Sequence, residues 1–258
     1  MRIGDCASRV RLAALGIALA AVSTAGHAAG AEAEKEPQTG LMRLVAEGHP
    51  RRDCWVYLPK TYDRSRPYPL VVVLHPAGLH GSRFVAIWGE TADRTGAFIV
   101  AGPECKDRQK RLWEIGDEKE LLETIRKVMA TFSVDPARVL LTGFSQGGTY
   151  SYTFGLRNPG VFRAIAPVGG ALVARPSPES EAILQKARGM GVYIAHGGAD
   201  DQIPVQRARA SRERLERAGF GVVYREIPLL GHFFPDGEAD RIWAWFAALT
   251  AQPEAAKK

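Results

Sequence analysis

The stretch Val139-Leu-Leu-Thr-Gly-Phe-Ser-Gln-Gly-Gly148 decides the fold. Four residues of strand composition run into Gly143-Phe144-Ser145-Gln146-Gly147, and a helix-compatible segment, 149–157, follows. Strand, sharp turn and helix with a serine at the apex is the order of a nucleophile elbow. The glycines have a steric reason. The turn brings strand and helix together, so side chains two residues before and after the serine would collide. The bare G-x-S-x-G pattern arises by chance in roughly one chain in ten of this length. Its weight therefore depends on an acid and a histidine following in suitable places.

Both follow. About 50 residues on, 192–195 reads as a buried strand, and Gly197-Gly198 opens the turn after it. Asp200 and Asp201 both stand just past that strand, where open α/β sheets place their sites. Asp200 is preferred because it lies four residues before Pro204 in His196-Gly-Gly-Ala-Asp-Asp-Gln-Ile-Pro204. His232 comes third, in the loop between a strand at 222–227 and a final helix at 236–249. Serine, acid, histidine is the chain order of the α/β-hydrolase triad. A serine hydroxyl is a poor nucleophile until an imidazole takes its proton. His232 fits that base, and the acid would hold its tautomer and stabilise the imidazolium. An oxyanion site also needs two N–H donors. Gln146 would supply one, and the loop after the strand at 70–74 the other. In that loop Pro76 has no N–H, which leaves Ala77 or Gly78.

The remaining pattern alternates. Strand candidates fall at 41–45, 53–58, 70–74, 98–101, 139–142, 164–168, 192–195 and 222–227, and helix candidates at 84–95, 119–132, 146–157, 205–218 and 236–249. Several strands are unbroken apolar runs, as parallel strands covered on both faces should be. Such alternation predicts βαβ units, so the fold class is α/β with a mostly parallel sheet and helices on both faces. The interval between 168 and 192 is short, which predicts no large lid and an open site. Trp113, Phe144 and Phe233 are candidate substrate-binding residues; Trp113 is favoured because its loop, Lys110-Arg-Leu-Trp-Glu-Ile-Gly116, is polar. His75, His80 and His196 show no metal-site spacing, and no cofactor or metal is expected. His196 reads as support for the turn that carries Asp200.

These segments resemble a known family. Trp55-Val-Tyr-Leu-Pro-Lys-Thr-Tyr62, Pro67 through Gly78, Val134-Asp-Pro-Ala-Arg-Val139, Gly143 through Gly148, His196 through Asp200 and Gly231-His232 are similar to those of secreted α/β-hydrolases. The resemblance is closest to poly(3-hydroxybutyrate) depolymerases and to feruloyl and acetylxylan esterases, and it spans about residues 52 to 235. It implies an eight-stranded sheet in the order 1-2-4-3-5-6-7-8 with the second strand antiparallel. The implied activity is serine hydrolysis of a carboxylic ester through an acyl-enzyme. The substrate would be a small molecule or an oligomer: an acylated sugar, an aromatic ester or a short hydroxyalkanoate. Peptidase or thioesterase activity on the same triad is the nearest alternative, and a non-catalytic binding protein on a hydrolase scaffold is another. The implied strand order also brings Cys54, at the start of strand two, towards Cys105, just past strand four, and so implies a Cys54–Cys105 disulfide.

The ends read differently. Arg2, Arg9 and Arg11 precede an apolar stretch, 12–22, and small residues at Gly26-His-Ala28. This is the pattern of an export signal at 1–28 for a secreted or periplasmic protein. The 11 or so apolar residues are too few to span a bilayer, so no membrane association is expected after cleavage. Residues 29–40 read as a flexible lead-in, 41–251 as the catalytic domain and 252–258 as a disordered tail. The chain is 258 residues long with net charge +6, and loss of three arginines and one aspartate with 1–28 leaves +4. The basic run at 207–217 alternates with Glu and Ala as a solvated helix face does, and no nucleic-acid motif accompanies it. The sequence does not specify an oligomeric state.

Overall fold

A computed structural model describes residues 39–45, 53–106, 109–173 and 175–251. The expected export signal, most of the lead-in and the tail lie outside the described residues. Eight strands form one sheet: β1 (Gly40–Leu44), β2 (Cys54–Leu58), β3 (Tyr68–Leu74), β4 (Ile99–Pro103), β5 (Val134–Phe144), β6 (Ala164–Val168), β7 (Gly191–Gly197) and β8 (Val222–Ile227). Their order is β1-β2-β4-β3-β5-β6-β7-β8. β2 runs antiparallel to both its neighbours, and β3 through β8 are parallel.

The apolar runs explain this sheet. Alternate residues of one strand point to opposite faces, and both faces are covered. Val71, Val73 and Leu140 pack with Phe84, Trp88, Ile242 and Phe246, which come from α1 (Gly81–Thr95) and α6 (Glu238–Ala251). Leu70, Val72, Leu74 and Leu141 face the other way. There they meet α2 (Glu118–Thr131), α3 (Gln146–Arg157), α4 (Pro178–Lys186) and α5 (Val205–Arg217). Every residue of β3 is buried, which is why Tyr-Pro-Leu-Val-Val-Val-Leu carries no polar alternation.

Among the described residues, α4 and a short 3-10 turn at Ile115–Asp117 are absent from the sequence reading. The helix α4 lies between β6 and β7 and is nine residues long, and among the described residues no larger element stands between those strands. Its start was written in the chain: Ser177 and Ser180 form a reciprocal cap, and Pro178 opens the helix.

The expected Cys54–Cys105 bridge is not formed. Both residues are buried thiols in one core cluster. The strand order is the one the resemblance implies, but register decides the distance. Cys54 pairs with Pro103, two residues short of Cys105. A ladder places the residues directly opposite each other closest, and the residue opposite Cys54 is Pro103, not Cys105.

Candidate active site

The candidate groups sit on loops at the carboxyl edge of the parallel strands. Ser145 follows β5, Asp200 follows β7, His232 follows β8 and Ala77 follows β3. The elbow is tight. Ser145 has φ 56° and ψ −118°, a conformation that costs a non-glycine residue about 1–3 kcal/mol and persists only where its surroundings hold it. They do: the Ser145 N–H donates to the carbonyl of Val168 on β6 at 3.0 Å. The flanking glycines are sterically required. A Cβ on Gly143 would lie 2.5 Å from the backbone of Gly147, and one on Gly147 would lie 2.2 Å from the carbonyl oxygen of Leu74.

The three side chains meet. His232 Nε2 lies 2.8 Å from Ser145 Oγ, and His232 Nδ1 lies 2.7 Å from Asp200 Oδ2. Asp200, rather than its exposed neighbour Asp201, reaches the imidazole. Its other oxygen, Oδ1, accepts from the N–H groups of Gln202 and Ile203 at 3.0 and 2.8 Å. The carboxylate is thus fixed by its own turn, with the second oxygen turned to the histidine. His196 braces that turn: its Nε2 lies 2.7 Å from the carbonyl of Ile203 and 3.3 Å from Asp200 Oδ2.

Donors for a developing oxyanion come from two places. Gln146 is the first residue of α3, and a helix leaves its first four N–H groups without intrahelical partners. In the β3–α1 loop the structure separates the two candidates. The Gly78 N–H donates to the carbonyl of Arg111 at 3.1 Å. It is therefore committed, which corrects its inclusion as a donor. Among the described residues the Ala77 N–H has no protein acceptor.

The proposed substrate-binding residues fall in three different environments. Phe144 is half-buried, and its ring lies over the His232 imidazole at 5.0 Å between centroids. Phe233 is 70% exposed at the rim. Trp113 is a correction: it is 5% exposed, within the core cluster. Its indole N–H donates to the carbonyl of His75 at 2.8 Å and its ring stacks on Tyr150 at 5.6 Å. Its loop is polar because Lys110 and Glu114 are exposed, while the indole between them packs into the core cluster.

Two contributors had no sequence signal strong enough to find. Phe234, next to the exposed Phe233, packs edge-on against Phe144 and Phe84 at 6.0 and 5.4 Å. Glu104 joins the base of the β3–α1 loop to its surroundings. Its Oε1 accepts from the Gly81 N–H at 2.9 Å and the Trp55 indole at 3.0 Å, and Oε2 lies 3.8 Å from His75 Nε2. Burial holds the His75 imidazole below its ordinary pKa, so it is neutral at pH 7. Among the described residues no group of His, Cys, Asp and Glu has a metal-binding arrangement, and no helix is long and apolar enough to cross a membrane.

A family model described as phospholipase/carboxylesterase matches residues 106–242, just over half of the chain. The chain belongs to this α/β-hydrolase family. It is 26% identical over 176 residues to feruloyl esterase D of Neurospora crassa, a match covering 63% of this chain and 58% of that protein. It is 29% identical over 111 residues to acyl-protein thioesterase 1 of Gibberella zeae, covering 43% of this chain and 47% of that one. The chain thus spans about half the length of the curated relatives it matches. Among solved structures, the acetyl xylan esterase of Aspergillus awamori superposes with a TM-score of 0.65 at 16% identity. That match covers 80% of this family member and 99% of the esterase, and at such identity it speaks for the fold alone.

Proposed function

We propose that this protein hydrolyses carboxylic esters through an acyl-enzyme intermediate. Ser145 is the nucleophile, His232 the general base and then general acid, and Asp200 the residue that orients the imidazole. The observation that carries the reading is the unbroken chain Ser145 Oγ, His232 Nε2, His232 Nδ1, Asp200 Oδ2, with links of 2.8 and 2.7 Å.

The chemistry follows from those contacts. As Ser145 Oγ attacks the ester carbonyl, its proton moves to His232 Nε2. The Gln146 and Ala77 N–H groups take the negative charge that develops on the carbonyl oxygen, a contribution of about 3 kcal/mol for each donor. The imidazolium, held by Asp200, returns its proton to the leaving alkoxide, and the alcohol departs. Water then attacks the acyl-enzyme by the same route in reverse, giving the acid and restoring Ser145.

An acylated sugar, an aromatic ester or a short hydroxyalkanoate oligomer fits a site with no large lid. The feruloyl esterase among the relatives favours the aromatic ester. Thioester hydrolysis on the same groups is the second reading, favoured by the thioesterase relative. The basic-then-apolar pattern of residues 1–28 supports an activity outside the cytoplasm.

A fluorophosphonate probe tests the mechanism. Stoichiometric labelling that disappears in Ser145→Ala supports it; a folded, unlabelled wild-type protein refutes it. Rates on matched acetyl, butyryl, feruloyl and hydroxybutyryl esters, with the butyryl thioester beside them, separate the two readings.

A further inference from the structure

We infer that Trp113 is a positioning residue that sets the separation of the two oxyanion donors, acting through the segment Arg111–Trp113. The inference rests on the oxyanion-site reading given above. The two donors belong to different parts of the fold. Gln146 opens α3, whereas Ala77 lies in the β3–α1 loop. Backbone contacts set how close the two parts come, since Gly147 lets α3 approach the Leu74 and His75 carbonyls. Something must still fix the loop's height and the helix end's rotation.

Trp113 touches both parts. Its backbone N–H donates to Gln146 Oε1 at 3.0 Å, and its carbonyl accepts from Gln146 Nε2 at 3.3 Å. The Gln146 side chain is therefore held by both backbone groups of Trp113, and its own backbone N–H stands in the first turn of α3. On the other side the Trp113 indole N–H donates to the His75 carbonyl at 2.8 Å. Two residues away, the Arg111 carbonyl accepts from Gly78 N–H at 3.1 Å, and the Arg111 guanidinium donates back to the Gly78 carbonyl at 3.3 Å. Ala77 is thus bracketed at His75 and at Gly78 by one short segment. Arg111 holds a positive φ of 50° while making these contacts, a local strain of the sort found where surrounding structure over-determines a functional geometry. Stacking on Tyr150 and the tilted contact with His75 at 4.7 Å keep the indole from turning.

The test uses the full chain and two variants that leave every donor amide in place. Trp113→Phe keeps an aromatic ring at the position but loses the N–H to His75 together with part of the indole's packing against Tyr150. Gln146→Ala cuts the other arm and keeps its backbone N–H. Three quantities are measured: kcat and KM on a p-nitrophenyl ester, and Ki for a trifluoromethyl ketone, which adds to the serine as a tetrahedral oxyanion. Displacing a donor by a fraction of an ångström to 1 Å should lower kcat about 10- to 100-fold and leave KM within about threefold. Ki for the ketone should rise in parallel with the loss in kcat/KM. The double variant should be little worse than the poorer single one, because either cut opens the same clamp.

An unchanged kcat, a rise in KM alone, or losses that multiply in the double variant would overturn the inference. If Trp113→Phe does not fold, Gln146→Ala carries the same decision by itself. Fluorophosphonate labelling of wild type and Ser145→Ala judges the underlying mechanism separately, so the two can fail independently.

Discussion

The Phe144 ring lies over the His232 imidazole, and Gly169 is what leaves room for it. The rings are 5.0 Å apart at a tilt of 31°. A Cβ on Gly169 would come 2.8 Å from Phe144 Cε2 and 3.9 Å from His232 Cε1. Gly169 also sits at φ 55°, where a side chain is strained whatever the space. Gly169→Ala should therefore cost about 1–3 kcal/mol in stability and push Phe144 into the imidazole. Thermal denaturation would show the first effect. A loss of esterase kcat larger than the loss of folded protein would show the second.

Asp200 and Asp201 offer a sharper contrast, because they are adjacent and chemically alike. Asp200→Asn keeps an oxygen for the Gln202 and Ile203 N–H groups and so should fold. It presents an amide to His232 Nδ1, which favours the wrong tautomer and withdraws the charge that stabilises the imidazolium. The expected loss in kcat is on the order of 10³- to 10⁴-fold. Asp201→Asn, exposed and outside the hydrogen-bonded chain, should stay within about twofold of wild type. Steady-state rates of both variants on one activated ester decide it; comparable losses would remove Asp200 from its assigned role.

The sheet was readable because burial on both faces leaves long apolar runs, and the elbow because steric crowding restricts residue choice at Gly143 and Gly147. Ser145, Asp200 and His232 stood out because each closes a strand in a fixed order along the chain. What was lost was register and side-chain direction. Cys54 opens the strand the resemblance implies, but its partner there is Pro103, two residues before Cys105. The polar neighbours of Trp113 point outward while its ring is buried, and composition is blind to which way one ring turns. Gly78 and Ala77 were equivalent until the carbonyl of Arg111, more than 30 residues away, claimed one of them. Phe233 and Phe234 show the same limit, since nothing in a Phe-Phe pair says which ring goes in.

The cysteines make a testable pair. Burial first, and then the nearby carboxylates of Glu104 and Asp53, push the Cys54 thiol well above its ordinary value of 9.0. It therefore stays protonated in the native state and reacts poorly, because the thiolate is the nucleophile. The native protein should resist Ellman's reagent at pH 8, and denaturant should release both Cys54 and Cys105 without any reductant. The pH dependence has a definite sign. A thiol raised in the folded state stabilises below its unfolded pKa, and that contribution is lost as pH rises past about 9 and the unfolded thiol ionises. Cys54→Ser or Cys54→Val should flatten the alkaline end of the stability curve. Recovery of thiols only after reduction would mean that a bridge forms despite the register.

Two glycines beside the site separate steric need from mere loop composition. At Gly147 an added Cβ would meet the Leu74 carbonyl oxygen at 2.2 Å and the His75 carbonyl oxygen at 2.7 Å. Both belong to buried backbone at the end of β3, so neither can swing aside as a side-chain tip would. Relief requires α3 to lift away from the strand, which would separate Gln146 from Ala77 and loosen the anchor of Ser145 on Val168. Gly147→Ala should cost more than about 3 kcal/mol or fail to fold. At Gly231, next to His232, the nearest atom to an added Cβ is Phe233 Cε2 at 3.5 Å, an ordinary contact with an exposed ring. Gly231→Ala should therefore fold normally, lose less than about 1 kcal/mol and keep most of its activity. Denaturant midpoints of the two variants measured side by side would test the difference. Equal costs would mean that the elbow can relax, and that the closeness of α3 to β3 does not hold the oxyanion donors in place.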